Sequence, residues 1–600
     1  MGNHCLTELP EEIVVQILLE LRVTALLRCS AVCKKLRSII TSSSPIQYHI
    51  ELERLGYVDE PRSELGVSER LARIRKHRRA WEDLAWTRTE DYSLTYGDMS
   101  SYMTCGILAF IRRVVPSKMT IFKLPSTIRG TDVQGILPVV YTFEFVIESV
   151  NIDPEQDLLA LLERRTSKST PDGERAQSSH YIHIRSLSTC KPHPSAVAAV
   201  LQSPIEPIPT GEFLLEHIGD SIGLFSHDNH HMVTASLVIF QWATGSIKTC
   251  VSFPQPNVPD HFSFLSPTEF LLTRFPHDPL IPDAHDDGSH SPSRTPTIEI
   301  YTFSHGTSLP PLGSSLLPIH AATFMLPAMP GDVLVDEFRC EADFPRVSPT
   351  AAISQEPRPP FYISPENRTF RFFFYWGQID DSDPPDPAFF VRASTLLDYD
   401  KYRHTQTPRV LLNPPAPPSS TNTRIGPDAV LASPTLINKS GDDSQCVTIP
   451  WRAWGPKNTR LLDEGIGLYG ECYGSKVGQW ETMPHADYNI IRVLDFNPYS
   501  LRSDQDEARM LAEGDDGYRE EEEEGAWYAL DFKGKDVDSR DVTWTSVSPK
   551  GCLFAEDVHT SLPYRETIRR VEYDGVWVFM DEENIVLLHQ GYCAFRVCTL

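Results

Sequence analysis

Leu237-Val238-Ile239-Phe240-Gln241-Trp242-Ala243-Thr244-Gly245 reads as a short apolar strand that runs directly into a polar turn. The segments Met119–Leu124, Tyr181–Leu187, Ile298–Phe303, Phe389–Arg392, Tyr488–Leu494 and Tyr592–Val597 have the same shape. An earlier apolar run partners most of them: Gly106–Phe110, Asp157–Leu162, Ser221–Phe225, Glu269–Thr273, Thr369–Tyr375 and Ile585–Leu588. A two-strand unit therefore recurs after Trp86, where the helical period fades.

The composition agrees with a β body. The chain has 600 residues, several times the roughly 150 of one domain, and 40% of them are hydrophobic, enough for a large core. Its 49 prolines against 32 glycines interrupt long helices and argue against a helical solenoid. A net charge of −26 repels phosphate backbones and anionic lipid, which disfavours nucleic acid and membrane surfaces as partners. There is no CxxC pair among the 12 cysteines and no apolar stretch of about 18 residues, so a reduced compartment, cytoplasm or nucleus, is expected. Met1-Gly2-Asn3-His4-Cys5 lacks the Ser or Thr of a myristoylation signal, because Leu6 stands there.

Phe240–Gly245 resembles the strand-to-turn segment of a WD-repeat blade, except that Ala243 replaces the usual Asp. The resemblance is to β-propellers as a class, and a parallel β-helix or two β-sandwiches stay open as alternatives. Units about 60 and later about 100 residues apart exceed the 40 to 50 of a plain blade. Residues 164–179, 276–296, 345–360, 404–445 and 502–525, rich in Pro, Ser, Asp or Glu, take up the excess as loops or disordered insertions. The expected fold is mainly β with an amino-terminal all-α module, the β part an irregular propeller of about seven blades. Tyr592–Val597 is placed to seal the ring against a blade begun near residues 92 to 124.

Upstream, Leu9–Leu21 begins a helix: Pro10 suits its first position, and Glu11 and Glu12 complement the helix dipole. Ile13, Val14, Ile17, Leu18 and Leu21 form a stripe that Val15 and Leu19 widen beyond one packing face. The string Leu9-Pro10-x-Glu12-Ile13, Ile17-Leu18-x-x-Leu21, Leu26-Leu27-Arg28-Cys29 and Val32-Cys33-Lys34-x-Leu36 resembles an F-box. The tail Ile46–Leu52 with Gly56 is similar to the segment found after the F-box in many proteins of mushroom-forming fungi. The resemblance implies docking on a Skp-type adaptor and, through it, a cullin, with Leu9, Pro10, Ile13, Leu26, Leu27, Val32 and Cys33 as adaptor contacts. Ile17, Leu18 and Leu36 are expected in the core. Cys29 and Cys33 share a helical face but have no second ligand pair, so they read as small hydrophobes.

Ser68 caps the next expected helix, which carries Leu71, Ile74, Arg78, Trp81, Leu84 and Ala85 on one face and the basic Arg73, Arg75, Lys76 and Arg79 on solvated ones. Trp81 and Trp86 fasten it to the β region, as a stiff arm. The expected domains are 5–52 for the F-box, 53–90 for linker helices and 91–600 for the propeller.

No motif carries chemistry. Gly465, Gly467 and Gly470 spell GxGxxG without the strand and helix that a dinucleotide site needs. His227-Asp228-Asn229-His230-His231 falls in a polar turn with no distant ligand partner, Asp515–Glu524 reads as a solvated acidic loop, and Arg371, Arg392 and Arg492 read as outward-facing. A non-enzymatic substrate receptor without metal or cofactor is expected, binding a protein substrate. The alternative is an interaction scaffold with a vestigial F-box outside any ligase.

Overall fold

The computed structural model describes residues 9–94, 100–131, 137–166, 178–205, 208, 211–228, 234–276, 293–303, 317–331, 333, 335–343, 358–375, 387–405, 446–462, 471–483, 486, 488–501, 536–550, 553–589 and 594–600. Met1–Leu6, Asn229–His231, Gly465–Gly470, Asp515–Glu524 and most of the five expected insertions lie outside these residues.

Seven sheets of four or five strands occupy residues 100–143, 149–202, 211–254, 261–325, 337–462, 472–571 and 575–599 in turn, blades 1 to 7. Each of the seven turn-ending segments overlaps the third strand of its blade, and each earlier partner overlaps a second strand. The third strands stand out because both of their faces are covered: Leu237 and Ile239 pack with blade 4, whereas Val238 and Phe240 pack with blade 2. A strand buried on both sides reads as a continuous apolar run. One cluster fills each seam between neighbouring blades, and Met103, Leu108 and Phe110 of blade 1 meet Val586, Leu588 and Phe595 of blade 7. The chain is thus a closed seven-bladed propeller, and the β-helix and two-sandwich alternatives fall. Two long connections add strands: Val447–Ile449 lies parallel to Ile319–Met325, and Val537–Val542 lies outside Tyr564–Val571.

Closure uses the two ends of the β region. Ala594–Thr599 pairs antiparallel with Arg88–Ser93, which becomes the fourth strand of blade 7. The sealing partner is therefore this strand and not blade 1 itself. Asp91 accepts from Arg596 at 2.7 and 2.9 Å, and Tyr92 stacks on Phe595 at 5.1 Å. Residues 53–90 hold the end of one helix, a short strand, a second helix and the start of this closing strand.

Helices α1 (Glu11–Leu19), α2 (Val23–Val32), α3 (Lys34–Ser42) and α4 (Ser44–Leu55) precede the ring, and α5 (Val67–Glu82) joins them to it. The cap of α5 is Gly66 rather than Ser68. Trp81 and Trp86 fasten α5 to the ring, as expected. Leu71, Ile74, Trp81 and Leu84 enter the same cluster as Trp480 and Ile491 of blade 6 and Val578, Ile585 and Leu587 of blade 7. The Trp81 indole donates to Glu582 O at 3.1 Å, and Arg569 covers Trp86 at 3.7 Å. Of the four basic residues, Arg73 donates to Ile128 O at 2.8 Å and Arg75 to Glu51 and Gln47, so only Lys76 and Arg79 lie exposed.

The end of α4 is fixed as firmly. Gly56 takes φ +68°, and a Cβ there would lie 1.8 Å from the Asn367 side chain. Tyr57–Asp59 then pairs with Phe361–Ile363 of a blade 5 connection, Tyr48 donates to Pro360 O at 3.1 Å, and Asn497 donates to Arg54 O at 2.9 Å. His77 sits in this junction with its Nε2 2.8 Å from the Tyr57 hydroxyl.

Ending the chain at Gly591 removes the third strand of blade 7 and strips Arg88–Ser93 of its ladder, so the expected result is aggregation or a fall of many degrees in Tm, read by light scattering and calorimetry. Burial, with Lys476 nearby, pushes His77 down to about 3. The folded chain therefore keeps this ring neutral while the unfolded chain protonates it near 6.5. As a result the junction loses stability as pH falls from 6.5 toward 3, and loses none through this group above 6.5. His77→Gln should gain on the wild type by about 1–3 kcal/mol between pH 7 and pH 4 in denaturant titrations, with a constant difference above pH 7.

Candidate interaction surfaces

The bundle's apolar positions divide into a core and an outside. Val14, Leu18, Val23, Leu26, Leu36, Ile39, Ile40 and Ile46 close the core. No local side chain caps α2. Instead Glu53 of α4 accepts from Val23 N at 3.1 Å, placing a carboxylate at the positive end of that helix. Cys33 breaks the chain between α2 and α3 with extended backbone, and its sulfur accepts from Leu36 N. It therefore does not share a helical face with Cys29, and both thiols are free.

With that core complete, Ile13 (42% exposed), Ile17 (41%), Leu27 (53%) and Val32 (73%) remain in water, together with Pro10. Ile13 and Ile17 lie one turn apart on α1, while Leu27 and Val32 belong to α2. Two expectations change. Leu26 is wholly buried, so it is a core residue with nothing to offer a partner, and Ile17, expected inside, is outside. Leu9 and Cys33 are half-buried against the core. Helical period alone reveals an over-wide stripe and cannot tell which edge the neighbouring helices cover.

On the ring, the three arginines read as outward-facing turn inward. Arg492 is buried and bridges Glu481 at 2.6 Å and Glu566, Arg371 donates to Glu341 at 3.2 Å, and Arg392 donates to Phe496 O at 2.7 Å. Buried guanidinium groups need such partners, so these residues fasten strands and do not gather on a ring face as an anion reader. Burial pushes the Glu216 carboxyl up to about 7, against the lowering effect of the Phe264 N–H at 3.0 Å. Burial likewise raises Glu341 in spite of Arg371.

His227 is not in a solvated turn. It is buried near the end of Ser221–Asp228, and burial holds its imidazole below the ordinary range. The pair of carboxylates that approach it comes from another strand of its own blade and from blade 5, which sequence proximity could not reveal. Among the described residues no helix is long and apolar enough to cross a membrane.

Residues 6–45 match the family described as F-box-like. No curated protein matches the chain. Solved structures that are similar include the β-propeller domain of the Trilobed protease from Pyrococcus furiosus, 8% identical, covering 50% of this chain and 82% of that one at a TM-score of 0.22. An α-L-arabinofuranosidase from Podospora anserina in complex with cellotriose is 10% identical, covering 48% and 86% at 0.21. The catalytic domain of a Coprinopsis cinerea α-L-arabinofuranosidase is 12% identical, covering 48% and 87% at 0.21. Scores this low carry no argument about activity. The helices before the ring and the seven closed blades after them make this chain an F-box-like domain followed by a seven-bladed β-propeller.

Proposed function

We propose that the chain is the substrate-recognition subunit of an SCF-type cullin–RING ubiquitin ligase. Its bundle docks on a Skp-type adaptor, and its propeller holds a protein substrate. The observation that carries this reading is the set of apolar side chains, Pro10, Ile13, Ile17, Leu27 and Val32, left in water by a bundle whose core is already closed. A small module gains nothing from such exposure unless another protein covers it. Leu9 and Cys33 are half-buried against the bundle core, and Leu26 lies within it.

In this reading the chain performs no chemistry; ubiquitin transfer takes place elsewhere in the assembly. The helix α5 has one task, to hold the ring at a fixed distance from the adaptor. A rigid joint raises the effective concentration of a bound substrate at the transfer site, whereas a swinging arm dilutes it. The strongly acidic surface suits a protein partner better than nucleic acid or lipid, in cytoplasm or nucleus.

The full chain carrying Ile13→Asp and Leu27→Asp tests this. Both residues are exposed, so its Tm should stay within about 1–2 °C of the wild type. Wild type purified at native expression should retain adaptor and cullin, and the variant should retain at least tenfold less of each, since anchors of this kind contribute about 1–4 kcal/mol apiece. Unchanged retention would refute the docking surface. Adaptor without cullin in the wild-type preparation would refute the ligase role and leave a scaffold.

A further inference from the structure

All first strands of a propeller run in the same direction along the axis, so the ring has one face where they begin and one where they end. Helix α5 sits on the second face, against Asp581–Glu583 and Ser126–Ile128, which come just after the ends of a first and a third strand. The opposite face carries a side-chain cluster that adaptor docking does not use. Glu212 is the second residue of Gly211–Ile218, Glu337 is the first of Glu337–Glu341, and His227 is the last but one of Ser221–Asp228. Glu212 and His227 face each other directly across the ladder of blade 3.

A ring nitrogen of His227 and one carboxylate oxygen from each glutamate lie within 4.8 Å of one another. His227 is 5% exposed, and its Nδ1 has no hydrogen-bond partner. Leaving such a group unsatisfied in a folded interior is costly, so a ligand for it is wanted. Arg339 already donates to Oε2 of Glu212 at 3.1 Å and to Oε2 of Glu337, leaving the other oxygen of each carboxylate. The charged groups acting on the imidazole are the carboxylates of Glu337, Glu212 and Asp260 and the guanidinium of Arg339, a local sum of −2. One divalent cation balances it.

We propose that Glu212, His227 and Glu337 form a divalent metal site, with Zn2+ as the first ion to try. One imidazole nitrogen and two carboxylate oxygens are a borderline donor set that suits such an ion better than Ca2+ or Mg2+, which prefer all-oxygen shells. Three protein ligands leave coordination open to water or to a side chain of an incoming protein. The site neither needs nor supports the ligase reading, since it lies on the far side of the ring from the bundle.

The full chain, stripped with chelator, is titrated with ZnCl2 in calorimetry and thermal melts. With 20 histidines and 12 cysteines in the chain, total uptake says little and the difference between wild type and variants decides. His227→Ala and Glu212→Gln should each lose one equivalent of zinc, or bind it at least tenfold more weakly, and should lose the zinc-dependent rise in Tm. Glu212 is exposed, so its variant carries the test if His227→Ala fails to fold. Zinc uptake and melting unchanged in Glu212→Gln, or no zinc-dependent rise in the wild type, would overturn the site. Arg339 would then be the only cation the cluster holds.

Discussion

Burial of Trp81 between the last two blades is the interaction on which the two halves of this chain depend. Its ring packs among the residues of the blade 6 to blade 7 seam, its N–H reaches Glu582 O, and Lys476 lies over its face at 5.3 Å. That seam borders the blade whose fourth strand comes from the amino-terminal side of the ring. The helix that positions the F-box-like bundle and the strand that closes the propeller are therefore consecutive in sequence and fixed to the same blade. A cleft lined by Arg54, His77, Trp81, Lys476 and Asp495 lies where α4 and α5 meet blade 6. Loss of either attachment removes apolar cover from the other, which makes closure and bundle placement one cooperative event.

Charge is used inside the ring more than on it. Arg492 with Glu481 and Glu566, and Arg274 with Glu299 at 2.9 Å, join neighbouring strands where little solvent reaches, and Arg371 reaches the half-exposed Glu341. Pairs of this kind cost desolvation to bury and are costly to break once formed, so they fasten neighbouring strands rather than recognise a ligand. The distinctive feature of the bundle is instead the apolar surface that its own core does not cover.

Much of this was legible before the fold. Every third strand announced itself, because residues such as Leu237 and Val238 are buried in different seams and so cannot alternate with polar ones. The closing strand Arg88–Ser93 was not legible, since its half-buried, charge-bearing residues show no apolar run and become a strand through the ladder of Ala594–Thr599. Lys476–Glu481 escaped for a related reason, with Gly478 and Gln479 diluting its apolar signal. At the candidate surface the string of F-box-like residues was visible, yet helical spacing could not separate the buried Leu26 from the exposed Leu27. The surroundings of His227 were invisible for a different reason: Glu337 arrives from a blade two positions round the ring.

The central claim is that α5 is part of the propeller and not a hinge in front of it. Amide hydrogen exchange of the full chain measures this directly, by comparing Val67–Glu82 with the second strand of blade 7, Asn584–His589. The account predicts that both exchange by the same opening, with protection within about tenfold of each other. Exchange of Val67–Glu82 orders of magnitude faster, at a rate shared with α1 to α4, would contradict it and restore a bundle that moves independently of the ring.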